Sequence, residues 1–168
     1  MRNLMKMAAV LLFVVAATLS TQAQKFGHID LQALVQVMPE RATAETEFNN
    51  FQKELEDVLE EMQNNLNTAL KEFESMGAEA SQIKRDAKVT EIQDMQQRIQ
   101  NYSQTAQGQL QQKQAEVLKP VYDKAQKAIE DVAKEKGLLY VFEVNSLLYK
   151  SNESLDVLPL VKTKLGIQ

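Results

Sequence analysis

His28 is the only histidine in this chain of 168 residues, and there is no cysteine. Chemistry that pairs a nucleophile with an imidazole base therefore has one candidate. A Ser/His/Asp arrangement would hang entirely on His28, while Cys–His catalysis and a histidine-rich metal site are excluded. A glycine-rich phosphate loop is also missing. His28 lies in "KFGHID", where Phe26, His28 and Asp30 alternate with Gly27 and Ile29, the pattern of a short strand. In a strand its expected role is packing or an interface contact rather than catalysis. Neighbouring carboxylates such as Glu60 and Glu61 fall in a highly charged segment and read as solvated helix faces. The residue types thus point away from an enzyme, with no catalytic, cofactor-binding or metal residues expected.

The elements around these residues are set by composition. The chain opens with "MRNLMKMAAVLLFVVAATLSTQAQ", in which Arg2 and Lys6 precede an apolar run from Met7 to Ala17 and a small-residue end at Thr21 to Ala23. This is the pattern of a secretory signal peptide over 1–23, and the run is shorter than the roughly 20 residues a bilayer span needs. Its removal takes two of the 19 basic side chains and none of the 23 acidic ones, so the balance moves from −4 to −6. An acidic chain is a poor general nucleic-acid binder. With no cysteine, disulfides and a lipidated amino-terminal cysteine are both excluded, leaving packing alone to hold the exported protein together.

After the first strand, Leu31, Leu34, Val35 and Met38 have helical spacing, with Asp30 placed to cap and Pro39 to close the turn. From Glu40 to Gly77 there is no further Pro or Gly, and Phe51, Met62 and Phe73 recur every 11 residues beside Phe48, Leu59 and Leu70. After Ser81 the same spacing returns in Met95, Ala106, Val117 and Ala128, and in Ile99, Leu110, Val121 and Val132. An 11-residue repeat holds an apolar stripe on one face of a nearly straight helix. Two striped helices joined at "SMGAEAS" make a helical hairpin, with Gly77 expected in the left-handed conformation at the tip and Ser81 as the next cap. Pro39 and Pro120 lie at similar distances from that tip and mark the base. Arms of about 40 residues span roughly 60 Å.

One part of the second arm is unusually wet: between Tyr102 and Val117 only Ala106, Leu110 and Ala115 carry apolar bulk, and Gly108 interrupts the helix. Gly108 and Pro120 are therefore candidate hinges. Beyond Pro120 the helix is expected to continue to Gly137. Leu138–Val144 and Leu147–Lys150 then read as a β-hairpin or two closely linked strands, and a short helix from about Asp156 carries Pro159 in its first turn and stops at Gly166. The fold class is α+β and mostly helical. A body (24–39 and 120–168) carries an inserted antiparallel hairpin (40–119, tip near 75–81). About three short strands make a marginal core, so completion of the body by oligomerisation is expected.

The opening "FGHIDLQALVQVMPE", the step Leu118 to Val121, the run from Ile129 through Leu155 and Asp156, and the closing "VKTKL" together resemble the Skp family of periplasmic chaperones, also called OmpH-like. The resemblance covers essentially the whole mature chain. It implies a homotrimer with a small β-barrel body and three helical hairpins around a cavity that holds unfolded outer-membrane β-barrel proteins, without ATP. On that reading Phe51, Met62, Phe73, Met76, Met95 and Tyr102 are candidate client-binding residues, although a stripe at helical spacing is more simply the seam between the arms. Phe26, His28, Ile29, Val141, Phe142, Val144, Leu147 and Leu148 are the candidate body and subunit-interface residues. Family members are basic, whereas this chain is acidic, so binding to a membrane surface is not expected. The rival class is an envelope adaptor docking through its tip, where Ser75 to Ser81 offers only Met76.

Overall fold

The computed structural model describes residues 25–77 and 80–167, so the segment read as a signal peptide lies outside the described residues. Two compact units are present, one formed by residues up to Leu31 and from Lys127 onward, the other by Gln32–Gln126.

The first unit is organised by strand β1 (Lys25–Ile29), the centre of a three-stranded sheet ordered β2-β1-β3. Gly27, His28 and Ile29 are consecutive and all buried, which an edge strand with one wet face could not achieve. β2 (Leu138–Glu143) pairs parallel to β1, with Phe26 opposite Tyr140 and His28 opposite Phe142. β3 (Leu155–Asp156) pairs parallel on the other side, with Gly27 opposite Leu155 and His28 opposite Asp156.

This corrects the expectation of a β-hairpin. Leu147–Lys150 is not a strand; Val144–Ser146 forms a 3-10 turn, and the chain crosses from the end of β2 back to the start of β3 through residues 144–154. Two parallel edge strands need such a crossover, whereas antiparallel neighbours would need only a tight turn. Glu143 supports the crossover by accepting from Asn145 Nδ2 at 3.0 Å and from Leu31 N–H at 2.9 Å. The second bond satisfies the first amide of helix α1 (Leu31–Val37).

The sequence's helix stops act as expected at Gly137 (φ 61°) and Gly166 (φ 71°), the only two described positions with positive φ. The final helix, named α4 below, spans Leu158–Lys164, with Pro159 in its first turn and Asp156 Oδ1 accepting from Leu158 N–H at 3.0 Å. Ile29, Val157 and Val161 are buried with Ala128 and Val132 from the carboxyl end of the long second arm.

The second unit contains α2 (Pro39–Ser75) and most of α3 (Gln82–Lys136). Pro39 sits in the first turn of α2, where its missing N–H costs nothing, so it opens the arm as well as ending α1. The arms run antiparallel: Glu40 pairs with Lys124, Tyr102 Oη donates to Leu55 O at 3.3 Å, and Lys88 meets Glu72 at 2.7 Å. Ala44, Phe48, Phe51, Leu55, Leu59 and Met62 lead a row of buried and half-buried residues on α2, and Ile92, Met95, Ile99, Tyr102, Ala106 and Leu110 one on α3. Steps of three and four keep each row on one face. On α3 no residue between Ile92 and Val117 is fully buried, so the wet stretch lies along a thin seam opposite the base half of α2.

One expectation at the tip needs adjustment. Gly77 does not adopt a left-handed φ; α2 ends instead through Met76 at ψ 97°, whose N–H bonds Glu72 O and Phe73 O and whose carbonyl accepts from Arg85 Nη2 at 3.1 Å. With that carbonyl capped by a guanidinium, the left-handed turn is not needed. At the base, α3 continues through Pro120 as one helix.

Gly27 is required for close approach: a Cβ there would lie 2.8 Å from Leu138 Cδ1, 3.2 Å from Val157 Cγ1 and 3.4 Å from Leu155 O. The Leu138 end can yield, but Val157 and the β3 backbone confine it from the other side. Gly27→Ala is expected to lower stability by about 1–3 kcal/mol, the range for overpacking, read as an earlier urea midpoint with unchanged slope.

Candidate functional site

Each unit presents one surface that could recognise a partner. On the sheet, Phe26, Tyr140 and Phe142 form an aromatic cluster. Phe26 stacks on Tyr140 with centroids 6.2 Å apart and rings 8° from parallel, and Phe142 lies 6.2 Å from Phe26 and 5.9 Å from Tyr140. The cause is register, because β1 and β2 run parallel with Phe26 opposite Tyr140. These rings remain 39%, 58% and 42% exposed. Leu139 and Leu155 are exposed as well, and Leu148 and Tyr149 in the crossover are almost wholly so. Exposed aromatic clusters of this kind are candidate interaction surfaces.

The candidate body residues therefore divide. His28 and Ile29 are buried within their own chain; Val141, Val144 and Leu147 are half-buried; Phe26, Phe142 and Leu148 face solvent. Tyr140 belongs to the same aromatic cluster, and Leu139 and Tyr149 are also exposed, but none of the three was singled out in the sequence. The alternation of Tyr140 with Phe142 in "LLYVFE" was the signal that could have found the first of them.

His28 is the hub of a polar clasp. Its Nε2 lies 2.8 Å from Lys150 Nζ and its Nδ1 lies 2.9 Å from Ser154 Oγ. An ammonium only donates, so Nε2 accepts, the ring proton sits on Nδ1, and Nδ1–H donates to Ser154. A ring protonated on Nδ1 cannot take the Ser154 proton at that position, so the pair is not an activated serine. The clasp fastens the crossover to the central strand.

On the hairpin, the six candidate client-binding residues Phe51, Met62, Phe73, Met76, Met95 and Tyr102 are all half-buried along the seam or at its tip. Arg85 lies over the Phe73 ring at 6.0 Å and Lys113 over Phe51 at 5.9 Å. Met62 and Met95 share a shallow groove with Ile99, Asn65 and Arg98, and Tyr102 and Val58 extend it. The apolar stripe thus fills the space between the arms and leaves edges at the surface.

Ion pairs fix the register. Lys88 bridges Glu72 on the other arm and Glu91 on its own, at 2.7 and 2.8 Å, and its hydrogen bonds to these carboxylates, first to Glu72, hold its ammonium above the usual lysine range. At the base, the hydrogen bond from Lys124 holds the Glu40 carboxyl below its ordinary 4.5. Among the described residues there is no cluster of His, Asp and Glu suited to a metal ion.

The fold defines an α+β protein with a small parallel sheet and a long antiparallel helical arm pair. The model of the OmpH-like outer membrane protein family matches residues 25–165, and the chain belongs to that family. It is 29% identical to an uncharacterized protein of Aquifex aeolicus (strain VF5) over 124 residues, 74% of this chain and 75% of that one. It also shares its fold with a Caulobacter crescentus CB15 protein named as an OmpH-like outer membrane chaperone. That match has a TM-score of 0.73 at 12% identity and covers 87% and 86% of the two chains.

Because Glu40's pKa is lowered by folding, its contribution is full above 4.5 and fades as pH falls through the folded value. The pair is largely exposed, so Glu40→Gln should cost within about 1 kcal/mol at pH 7. The gap between wild type and variant in urea midpoint is expected to stay constant down to about pH 5 and close below that, in pH-dependent unfolding.

Proposed function

We propose that this protein is an ATP-independent holdase of the periplasm that binds unfolded outer-membrane β-barrel proteins between hairpins of a homotrimer and keeps them from aggregating. The observation that supports this most is the pairing of an unburied aromatic sheet surface with a long two-helix arm in a member of the OmpH-like family. The sheet surface is of the kind that a second copy of the chain covers: Phe26, Tyr140, Phe142 and Leu148 would lie against a neighbouring subunit, with the half-buried Val141, Val144 and Leu147 supporting the same unit. Burial of three aromatic rings would contribute several kcal/mol per subunit at about 25 cal/mol per Å².

In this reading the arms hold the client. Residues at the edges of the thin seam, Met62, Met95 and Tyr102 in mid-arm with Phe51 and Phe73 beyond them and Met76 at the tip, offer adaptable apolar contacts. Thioethers and partly buried rings tolerate many client sequences. The acidic balance of the chain favours many weak apolar contacts over attraction to an anionic membrane surface. No helix among the described residues is long and apolar enough to cross a membrane, which fits a protein that works off the bilayer.

The decisive test is the mass in solution of the protein without residues 1–23, alone and after addition of an outer-membrane β-barrel protein diluted from urea. Three subunits, then three subunits with one client, are expected. A stable oligomer that leaves the client to aggregate would instead favour an envelope adaptor, with Ile83 near the tip, 82% exposed, as its contact.

The thin seam also supports flexing of the arm around Gly108, where nothing lies within 4 Å of a Cβ position, and at Pro120, which removes a helix hydrogen bond. Amide exchange at 103–114 is expected to be faster than at 85–99; uniform protection along α3 would show a rigid arm.

A further inference from the structure

Seven glutamines on α3, Gln93, Gln97, Gln100, Gln104, Gln107, Gln111 and Gln114, recur at alternating steps of four and three. That is the spacing of the seam itself, displaced around the helix, and all seven are exposed. Gln114 shares a groove with Leu118, Arg41, Glu45 and Phe48, which fixes the flank of the hairpin on which the row runs. On α2 the same position, one residue past the seam, is held by Asn49, Gln52, Gln63 and Asn67, with Glu56 and Glu60 between them. Among the described residues only Gln97 of the seven has a side-chain hydrogen bond, to Asn101 Oδ1 at 2.9 Å.

A merely solvated helix flank gains more from Glu and Lys, which form stabilising pairs four residues apart. Elsewhere the hairpin does this, as in Arg41–Glu45, Lys53–Asp57 and Lys119–Asp123. The glutamine row forgoes that stabilisation from Gln93 to Gln114. What it offers is a line of neutral groups that each donate and accept, which is the hydrogen-bonding chemistry of a peptide group.

We propose that this row is the surface along which an extended segment of an unfolded outer-membrane β-barrel protein lies, held through its backbone; this rests on the holdase reading. The length fits, since the row from Gln93 to Gln114 rises about 32 Å along the helix. At about 3.3 Å per residue an extended chain covers that in nine or ten residues, about one transmembrane β-strand. The repeat does not fit: glutamines recur about every 5 Å along the helix, while same-face residues of an extended chain recur about every 6.6 Å. No register is therefore preferred, and a segment can shift along the row without being locked into it. The row itself carries no charge, although Glu56 and Glu60 border it on α2, and its carboxamides satisfy the backbone groups that would otherwise seek another unfolded chain.

The test compares two triple variants of the full mature chain. Gln100, Gln104 and Gln107 are changed to Ala in one, and Thr105, Gln109 and Gln112, on the opposite flank, in the other. Alanine is the better helix former, so both arms keep their helix. Binding of a fluorescently labelled eight-stranded outer-membrane barrel protein, diluted from urea, is measured with the oligomer mass. Loss of three hydrogen-bonding groups should weaken binding about tenfold in the first variant, mostly through faster release, and less than twofold in the second. Equal affinity in the two variants, or a change of oligomer mass in the first alone, would overturn the assignment, the latter by showing that the row joins copies of the chain. Failure of the wild type to keep the barrel protein soluble would remove the holdase reading itself; retention by the wild type and by both variants alike would remove only the row.

Discussion

The parallel pairing of β1 with two strands from the far end of the chain is the constraint on which the rest depends. Parallel neighbours cannot be joined by a tight turn, so the chain must leave β1 at Ile29 and return at Leu138. The helical hairpin occupies that excursion. The second parallel partner, β3, imposes a shorter crossover through 144–154, held down by the contacts of His28 with Lys150 and Ser154. Gly27 lets these pieces meet, because its missing side chain is what allows Leu138 and Val157 to close over the central strand. A buried polar histidine at such a place is acceptable because both ring nitrogens are partnered.

The two units solve the problem of burial differently. In the sheet unit, Ile29, Val132, Val157 and Val161 are buried while a cluster of three aromatic rings is left partly to solvent. A single copy thus keeps its small core and leaves unused an apolar surface suited to association. In the other unit the fully buried side chains gather near the base, at Leu34, Met38, Val121 and Ala125, while the arms beyond keep few, such as Ala69 and Ile92, and rely on long rows of partial burial with ion pairs such as Lys88 between Glu72 and Glu91. Such an arm is ordered by many small contacts, and its large surface stays available.

The helical arms were legible in the sequence because helix formation and the seam are written in local spacing. Phe51, Met62 and Phe73 recur at 11 residues, and the steps of three and four that place them on one face need no knowledge of anything distant. The stops at Gly137 and Gly166, the position of Pro159 and the antiparallel return of α3 follow from equally local chemistry. The tip was less legible: Gly77 has the right residue type for a left-handed cap, but Arg85 reaches back to the Met76 carbonyl and removes the need for one.

The sheet shows where local reading ends. "LLYVFEVNSLLYK" carries the composition of two strands, yet only its first half pairs, and the third strand comes from Leu155–Asp156, two residues with no strand signal of their own. Strand order and direction are set by which distant backbones find hydrogen-bond partners, and no periodicity within a segment encodes that. For the same reason, the sequence showed that Phe26, Tyr140 and Phe142 are aromatic but not that they would stack. By itself the sequence determined the helices, their lengths, the helical hairpin and its charge. The tertiary structure alone decided that the sheet is parallel with β1 at its centre, that His28 is a clasp, and which apolar side chains are left without cover. Those outcomes depend on contacts between residues more than a hundred positions apart.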